Sequence, residues 1–325
     1  MQTANQYFYN DDNKSFVIAG VESIGVCYGN NGKDLPSPSE VATLYQKYGI
    51  HAMRLYSPDP NILNAFKNTG IEVMVDVPNE LLGQLADSSA AAKWVHDNIL
   101  AYLPGISFKY IAVGNEMDDK YANCILPAMS KIYDAICSAG LKGKIMVSTA
   151  VRFDVFTNTS PPKNAVFSKP YMEPIINFLA NTGAPLLVNV YPYFSYQDNS
   201  HQIPLDYALF TSTKPNQDGY QNLFDAMVDS VYYAIEKTGH SQVGVVVSES
   251  GWPSYGGVDT TQGNAQMYNQ NLIKHVPKGT PKKPWNLETY IFAMFNENGK
   301  SGAEVERHFG LFYPNQSPVY AISFN

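Results

Sequence analysis

Two glutamates stand where buried strands run out. Val243-Gly-Val-Val-Val-Ser-Glu249 is a run of β-branched residues that ends in a carboxylate, and Gly251 and Pro253 stop the strand just beyond it. Tyr110-Ile-Ala-Val-Gly-Asn-Glu116 is built the same way. Continuous apolar runs of this kind mark strands that are covered on both faces. A carboxylate at such a strand end is held by a rigid element yet can face a cleft. One alone would be an ordinary solvated strand end. Two at matching positions are the parts needed for acid/base work on a glycosidic bond. Trp252, three residues past Glu249, offers a flat apolar face that fits either a sugar-stacking surface or the core.

The elements that must position these carboxylates alternate along the chain. Strands are read at Ile24–Tyr28, Ala52–Tyr56, Glu72–Val77, Tyr110–Val113, Lys144–Ala150, Leu186–Val190, Val243–Ser248 and Thr289–Phe295. Helices fall between them at Pro38–Tyr48, Asn61–Asn68, Ser89–Leu100, Leu126–Ala139, Pro170–Ala180, Leu223–Thr238 and Ala265–His275. Eight strands apolar on both faces and alternating with helices give an α/β fold, a closed parallel (β/α)8 TIM barrel. The 325 residues exceed the ~250 of a plain barrel and leave room for insertions rather than a second domain. Residues 23–325 are therefore read as one catalytic domain, with residues 1–22 an N-terminal extension outside the barrel. The stretch from Tyr191 to Asn222 is too long for an ordinary connection and reads as a small subdomain inserted after the sixth strand. Of its many aromatic residues, Tyr207 and Phe210 are assigned to its own packing.

In such a barrel the chemistry gathers at the C-terminal ends of the strands. Tyr56 follows the second strand, Asn115 and Glu116 the fourth, Tyr191 and Tyr193 the sixth, Glu249 the seventh, and Glu297 with Lys300 the eighth. Acidic and aromatic side chains thus converge on one rim from five strand ends.

Val247-Ser-Glu-Ser-Gly-Trp-Pro-Ser254 resembles the signature of glycoside hydrolase family 17, the plant-type endo-β-1,3-glucanases. Arg54-Leu-Tyr-Ser-Pro-Asp59, Tyr110–Glu116, Asn189-Val-Tyr-Pro-Tyr193, Met294-Phe-Asn-Glu-Asn298 and Gly310-Leu-Phe-Tyr-Pro-Asn315 follow in the family's order, from about Ser23 to the C-terminus. The resemblance implies a retaining endo-hydrolase of β-1,3-glucans such as callose, fungal cell-wall glucan or laminarin. Glu249 would be its nucleophile and Glu116 its acid/base. It implies further that Asn115 bonds a sugar 2-hydroxyl, that Tyr191 donates to Glu249, and that Phe295 floors a subsite. Tyr56, Phe194 and Trp252 complete the expected substrate contacts. Glu297 and Lys300 form either an ion pair that orients sugar hydroxyls or Glu116, or a plain surface salt bridge. The same family holds mixed-linkage 1,3;1,4-glucanases and transglycosylases, which these residues do not separate. The reading from another class is a catalytically silent β-glucan binder, against which the presence of both glutamates argues.

Composition excludes several other partners. A formal net charge of −7 argues against nucleic acid and anionic membranes, and no stretch approaches the ~20 apolar residues of a membrane span. Cys27, Cys124 and Cys137 show no metal-finger spacing, and the six histidines form no ligating motif. Neither a metal, a cofactor nor a disulfide framework is expected, and the chain reads as a monomer. Phe16–Val21 is too short for a typical signal sequence. Secretion to the extracellular space or cell wall, with the vacuole as an alternative, is expected from the resemblance. The sequons at Asn13, Asn158 and Asn315 support it only weakly.

Overall fold

The computed structural model of the chain describes residues 24–324. The extension read at residues 1–22 and the Asn13 sequon lie outside them. The described residues form ten strands: β1 Ile24–Tyr28, β2 Ala52–Leu55, β3 Glu72–Val77, β4 Ser107–Asn115, β5 Met146–Val151, β6 Phe156–Thr157, β7 Val166–Phe167, β8 Leu186–Asn189, β9 Val245–Ser250 and β10 Thr289–Ile291. Eight of them close into a parallel barrel in the order β1-β10-β9-β8-β5-β4-β3-β2. The fold is a (β/α)8 barrel, as the alternation of elements requires. Its strands are apolar along their length because helices cover one face and the filled barrel interior the other. Every residue of β1, β2, β9 and β10 is buried.

The helices are α1 Pro38–Lys47, α2 Pro60–Phe66, α3 Ser88–Asn98, α4 Ile125–Ser138, α5 Met172–Thr182, α6 Pro192–Asp198, α7 Leu205–Ala208, α8 Leu223–Lys237 and α9 Gln262–His275. Their ends carry local signals. Ser37 and Glu40 close a reciprocal capping box on α1. Asp59 accepts from the Asn61 and Ile62 amides ahead of α2, whose first residue is Pro60. Gly183, at φ 75°, ends α5 in the left-handed region.

Three details differ from the sequence reading and bear on the site. The seventh barrel strand, β9, runs two residues later than expected, so Glu249 lies inside the strand rather than beyond it. The eighth, β10, stops at Ile291 instead of reaching Phe295. From there the backbone bonds to several partners in turn: Phe292 N to Ser250 O, Ala293 N to Phe309 O and Met294 N to Cys27 O. The connection from β5 to α5 also holds an antiparallel pair, β6 with β7, whose two-residue strands are too short to show a period.

The insertion after β8 carries α6 and α7. Tyr207 packs with Tyr220 and Ala226 in a small apolar cluster of its own. Phe210 instead stacks on Phe224, Tyr268 and His275, tying the insertion to α8 and α9. All three cysteines carry free thiols, and burial pushes the Cys27 thiol well up from its ordinary pKa.

Candidate active site

The organising residue is Arg54, which the sequence reading passed over. It sits in β2, fully buried, and a buried guanidinium demands partners for its donors. It finds them on four other strands. Nε and Nη2 donate to the two carboxylate oxygens of Asp76 of β3, at 3.2 and 2.6 Å, a bidentate ion pair. Nη2 also donates to Asn115 Oδ1 of β4 at 3.0 Å. Nη1 reaches Asn189 Oδ1 of β8 at 3.2 Å, and Ser248 O and Glu249 Oε1 of β9 at 3.2 and 2.9 Å. Burial works against its charge, but Asp76, Tyr56 and Glu249 outweigh burial and hold it above its ordinary pKa.

Arg54 offers only donors, so it turns the amide oxygens of Asn115 and Asn189 toward itself. The Asn189 amide nitrogen then points outward and donates to Glu116 Oε1 at 2.9 Å and Asn115 Oδ1 at 3.0 Å. Ser248 Oγ donates to Asn189 Oδ1 at 2.8 Å and reinforces that orientation. Asn115 Nδ2 makes no hydrogen bond among the described residues. It is free to meet a ligand.

The two glutamates have unlike surroundings. Glu249, 6% exposed, accepts from Arg54 Nη1 and from two phenols. Tyr56 OH reaches its Oε1 and Tyr191 OH its Oε2, each at 2.7 Å. Burial, before any neighbouring charge, pushes both phenols well above their ordinary pKa, so they remain donors. Three donors, one of them cationic, thus converge on the Glu249 carboxyl group. Glu116 follows β4 with φ 50°, a left-handed conformation that costs a non-glycine residue energy and recurs at functional sites. Burial first, then the charge of Glu249, raises its carboxyl to about 7; Asn189, Arg152 and Arg54 pull against that rise. Glu249 is thus ringed by donors, while Glu116 is fitted to hold a proton near neutrality. That is the division an acid/nucleophile pair requires.

Both open into one cavity of about 560 Å³, which Tyr56, Asn115, Tyr191, Phe194, Glu297 and Lys300 also line. Glu297 and Lys300 pair at 3.4 Å. Glu297 is only 3% exposed and accepts from Asn31 N at 3.0 Å, so a plain surface salt bridge is excluded. A side chain at Gly29 would collide with the Glu297 carboxylate, which is why glycine ends that approach. Lys300 Nζ lies 3.9 Å from the Phe292 ring centroid.

Two expectations are corrected. Trp252 is fully buried, wedged among Tyr193, Tyr196 and Tyr268, and its Nε1 donates to Asp259 O at 3.1 Å. It belongs to the core. Phe295 is 1% exposed and packs edge-on to Tyr28; it floors no subsite, because the chain leaves the barrel ladder after Ile291. Phe292 and Phe309 face the cavity in its place, with Arg152 and Glu306 at its edge. The reading missed these four, as it missed Arg54, Asp76 and Asn189. Arg54 had a usable signal, a lone cation inside the apolar strand Ala52–Leu55.

A parallel barrel with two unlike carboxyls at the ends of its fourth and seventh barrel strands defines a (β/α)8 enzyme of the paired-carboxylate class. The model for glycosyl hydrolases family 17 matches residues 24–324, and the chain belongs to that family. It is 56% identical over 315 residues to the acidic isoform of glucan endo-1,3-β-glucosidase from Zea mays, covering 95% of this chain and 93% of that one. It is 54% identical over 311 residues to glucan endo-1,3-β-glucosidase GIII of Hordeum vulgare, covering 94% and 93%. Among solved structures, CJP38, a β-1,3-glucanase and allergen of Cryptomeria japonica pollen, superposes with a TM-score of 0.91 at 47% identity. That superposition covers 94% of this chain and 99% of that one.

Proposed function

We propose that the chain is a retaining endo-hydrolase that cleaves internal β-1,3-glucosidic bonds of β-1,3-glucans. The names of its relatives support the substrate class. The observation that carries the mechanism is the contrast between Glu249, held by Arg54, Tyr56 and Tyr191, and Glu116, raised to about 7. Glu249 attacks C1 through its carboxylate, and Glu116 passes its proton to the departing glycosidic oxygen. Water, deprotonated by Glu116, then displaces Glu249 from C1, and two inversions leave the β-configuration. Asn115 Nδ2 serves the 2-hydroxyl, and the rings of Phe194, Phe292 and Phe309 bear on the sugar faces. Glu297 and Lys300 orient hydroxyl groups.

The test is the anomer of the first product, read by proton NMR on a soluble β-1,3-gluco-oligosaccharide, together with the two carboxamide variants. Wild type should release the β-anomer. Glu249→Gln should lose about a thousandfold or more of turnover while keeping its melt. With an activated aryl glycoside, Glu116→Gln should show a phenol burst and then a slow steady state that azide accelerates, forming the β-azide. An α-azide from Glu116→Gln would reverse the two roles. Comparing linear 1,3-glucan with mixed-linkage glucan as substrates settles the linkage preference, the expectation being the linear polymer.

No helix among the described residues is long and apolar enough to cross a membrane. We read the enzyme as secreted and monomeric. The sequon asparagines Asn158 and Asn315 are exposed and open to modification in a secretory route.

A further inference from the structure

Outside the cleft, the barrel rim carries a second depression of about 610 Å³. It lies where the loop after β9 and the start of α9 meet the C-terminal segment, and its lining includes Tyr255, Tyr313, Gln262, Asn296 and His308. Its lining consists of tyrosines, hydroxyl residues, amides and one imidazole, with no carboxylate, lysine or arginine. Such a wall suits a neutral, hydroxyl-rich ligand rather than an ion.

Two of its rings are spread open to solvent yet held in place. Tyr255 is 63% exposed and Tyr313 37% exposed, and both line this depression. The Tyr313 hydroxyl accepts from Gln262 Nε2 at 3.1 Å, and its backbone is pinned in a turn with Gln316 and Ser317. Tyr255 stands edge-on to His308 with ring centroids 5.1 Å apart, and His308 is itself bonded to Glu304 at 2.8 Å. Rings fixed before binding lose little conformational entropy when a ligand arrives. Around them, Gln262 Oε1, Asn296 Nδ2 and the Tyr255 hydroxyl make no hydrogen bond among the described residues. They offer both donors and an acceptor to a ligand.

The depression and the catalytic cleft are lined by consecutive residues of the same segments. Asn296 precedes Glu297 and His308 precedes Phe309 in sequence, and in both pairs the second residue lines the cleft. We propose that this face is a second, non-catalytic binding site for a β-1,3-glucan chain, in which the exposed rings of Tyr255 and Tyr313 stack on the C–H faces of glucose units outside the cleft. The proposal rests on the glucan reading above and adds to it a means of holding polymeric or particulate substrate. It makes no difference to short chains that fit the cleft alone.

The experiment compares the full chain with its Tyr255→Ala/Tyr313→Ala variant on two substrates, a soluble β-1,3-glucohexaose and particulate β-1,3-glucan. Both rings are exposed, so the melt and the hexaose rate should stay within about twofold of wild type. In a Glu249→Gln background, retention on the particles should fall about tenfold when the two rings are removed. Tyr255→Trp/Tyr313→Trp should keep that retention. Unchanged retention of the alanine variant overturns the proposal and leaves the rings to some other partner. Equal losses on hexaose and particles also overturn it, because the rings would then belong to the catalytic cleft. A wild type that binds particles but leaves hexaose whole would overturn the catalytic reading, while the comparison of retention still decides the second site.

Discussion

Glu116 and Glu249 are the same side chain in two electrostatic settings, and the difference has a titratable consequence. Glu116 can protonate a leaving group only while it holds its own proton. Its carboxyl lies at about 7, with burial the largest cause and the charge of Glu249 the next. Activity, followed as kcat/KM, should therefore fall as pH rises through about 7 in the wild type. Removing the Glu249 charge removes the second cause and leaves burial in place. In Glu249→Gln the Glu116 carboxyl, followed by carbon NMR, should titrate at lower pH than in wild type, yet still above an ordinary glutamate. An unchanged midpoint would mean that the two carboxyls are not coupled. Arg54 acts at one remove. Its contacts with Asp76, Asn115, Asn189 and Glu249 mean that Asp76→Asn disturbs both glutamates without touching either.

The elements decide which neighbours of these carboxyls meet a ligand. In the loop after β9, Trp252 turns inward onto Tyr193, Tyr196 and Tyr268, while Phe194 in α6 stays half-buried at the cavity wall. Trp252→Ala should cost about 3–5 kcal/mol of stability, visible as a lowered melting point. Phe194→Ala should leave the melt nearly unchanged and raise KM. The opposite pattern would return Trp252 to the cleft. These positions also mark how far the sequence could be read. The eight barrel strands were legible because burial on both faces leaves continuous β-branched runs, and the strand-end rule placed Tyr56, Asn115, Glu116, Tyr191 and Glu249 on one rim. Side-chain direction beyond a strand end was not legible. Phe292 and Phe295 stand three residues apart on a backbone that is no longer regular, so no period of two tells which faces the cavity. Arg54, Asp76 and Asn189 were hidden for another reason. Polar residues inside a barrel look like errors in an apolar strand until their partners on other strands are seen.

Over the whole molecule, the site and one buried acid bend the dependence of stability on pH. Glu116 at about 7 and Asp229 at about 6 are both raised chiefly by burial. Asp229 lies in α8, fully buried, and accepts from the Lys282 amide at 3.0 Å. A carboxyl raised in the folded state binds its proton more tightly there than in the unfolded chain, where carboxyls titrate near 4. Its contribution to stability is complete below that unfolded value and is lost as pH rises through the folded value. For these two groups the loss runs from about pH 4 to about 7. Glu40, Asp87, Asp97, Asp119 and Glu304 are shifted the other way, each chiefly by a side-chain hydrogen bond. They contribute above the unfolded value and lose that contribution as pH falls, but solvent screens them at the surface, so the buried carboxyls dominate, among them Asp76 and Glu306, which burial also raises. The melting temperature of the wild type should accordingly decline between pH 5 and pH 7.5. Glu116→Gln/Asp229→Asn removes both titrations, so its melting temperature should gain on that of wild type by several degrees across the same interval. Any fixed offset from the lost hydrogen bonds would be the same at every pH. A difference between the two melting curves that stays constant from pH 4.5 to 8 would show that neither carboxyl binds its proton more tightly in the folded chain.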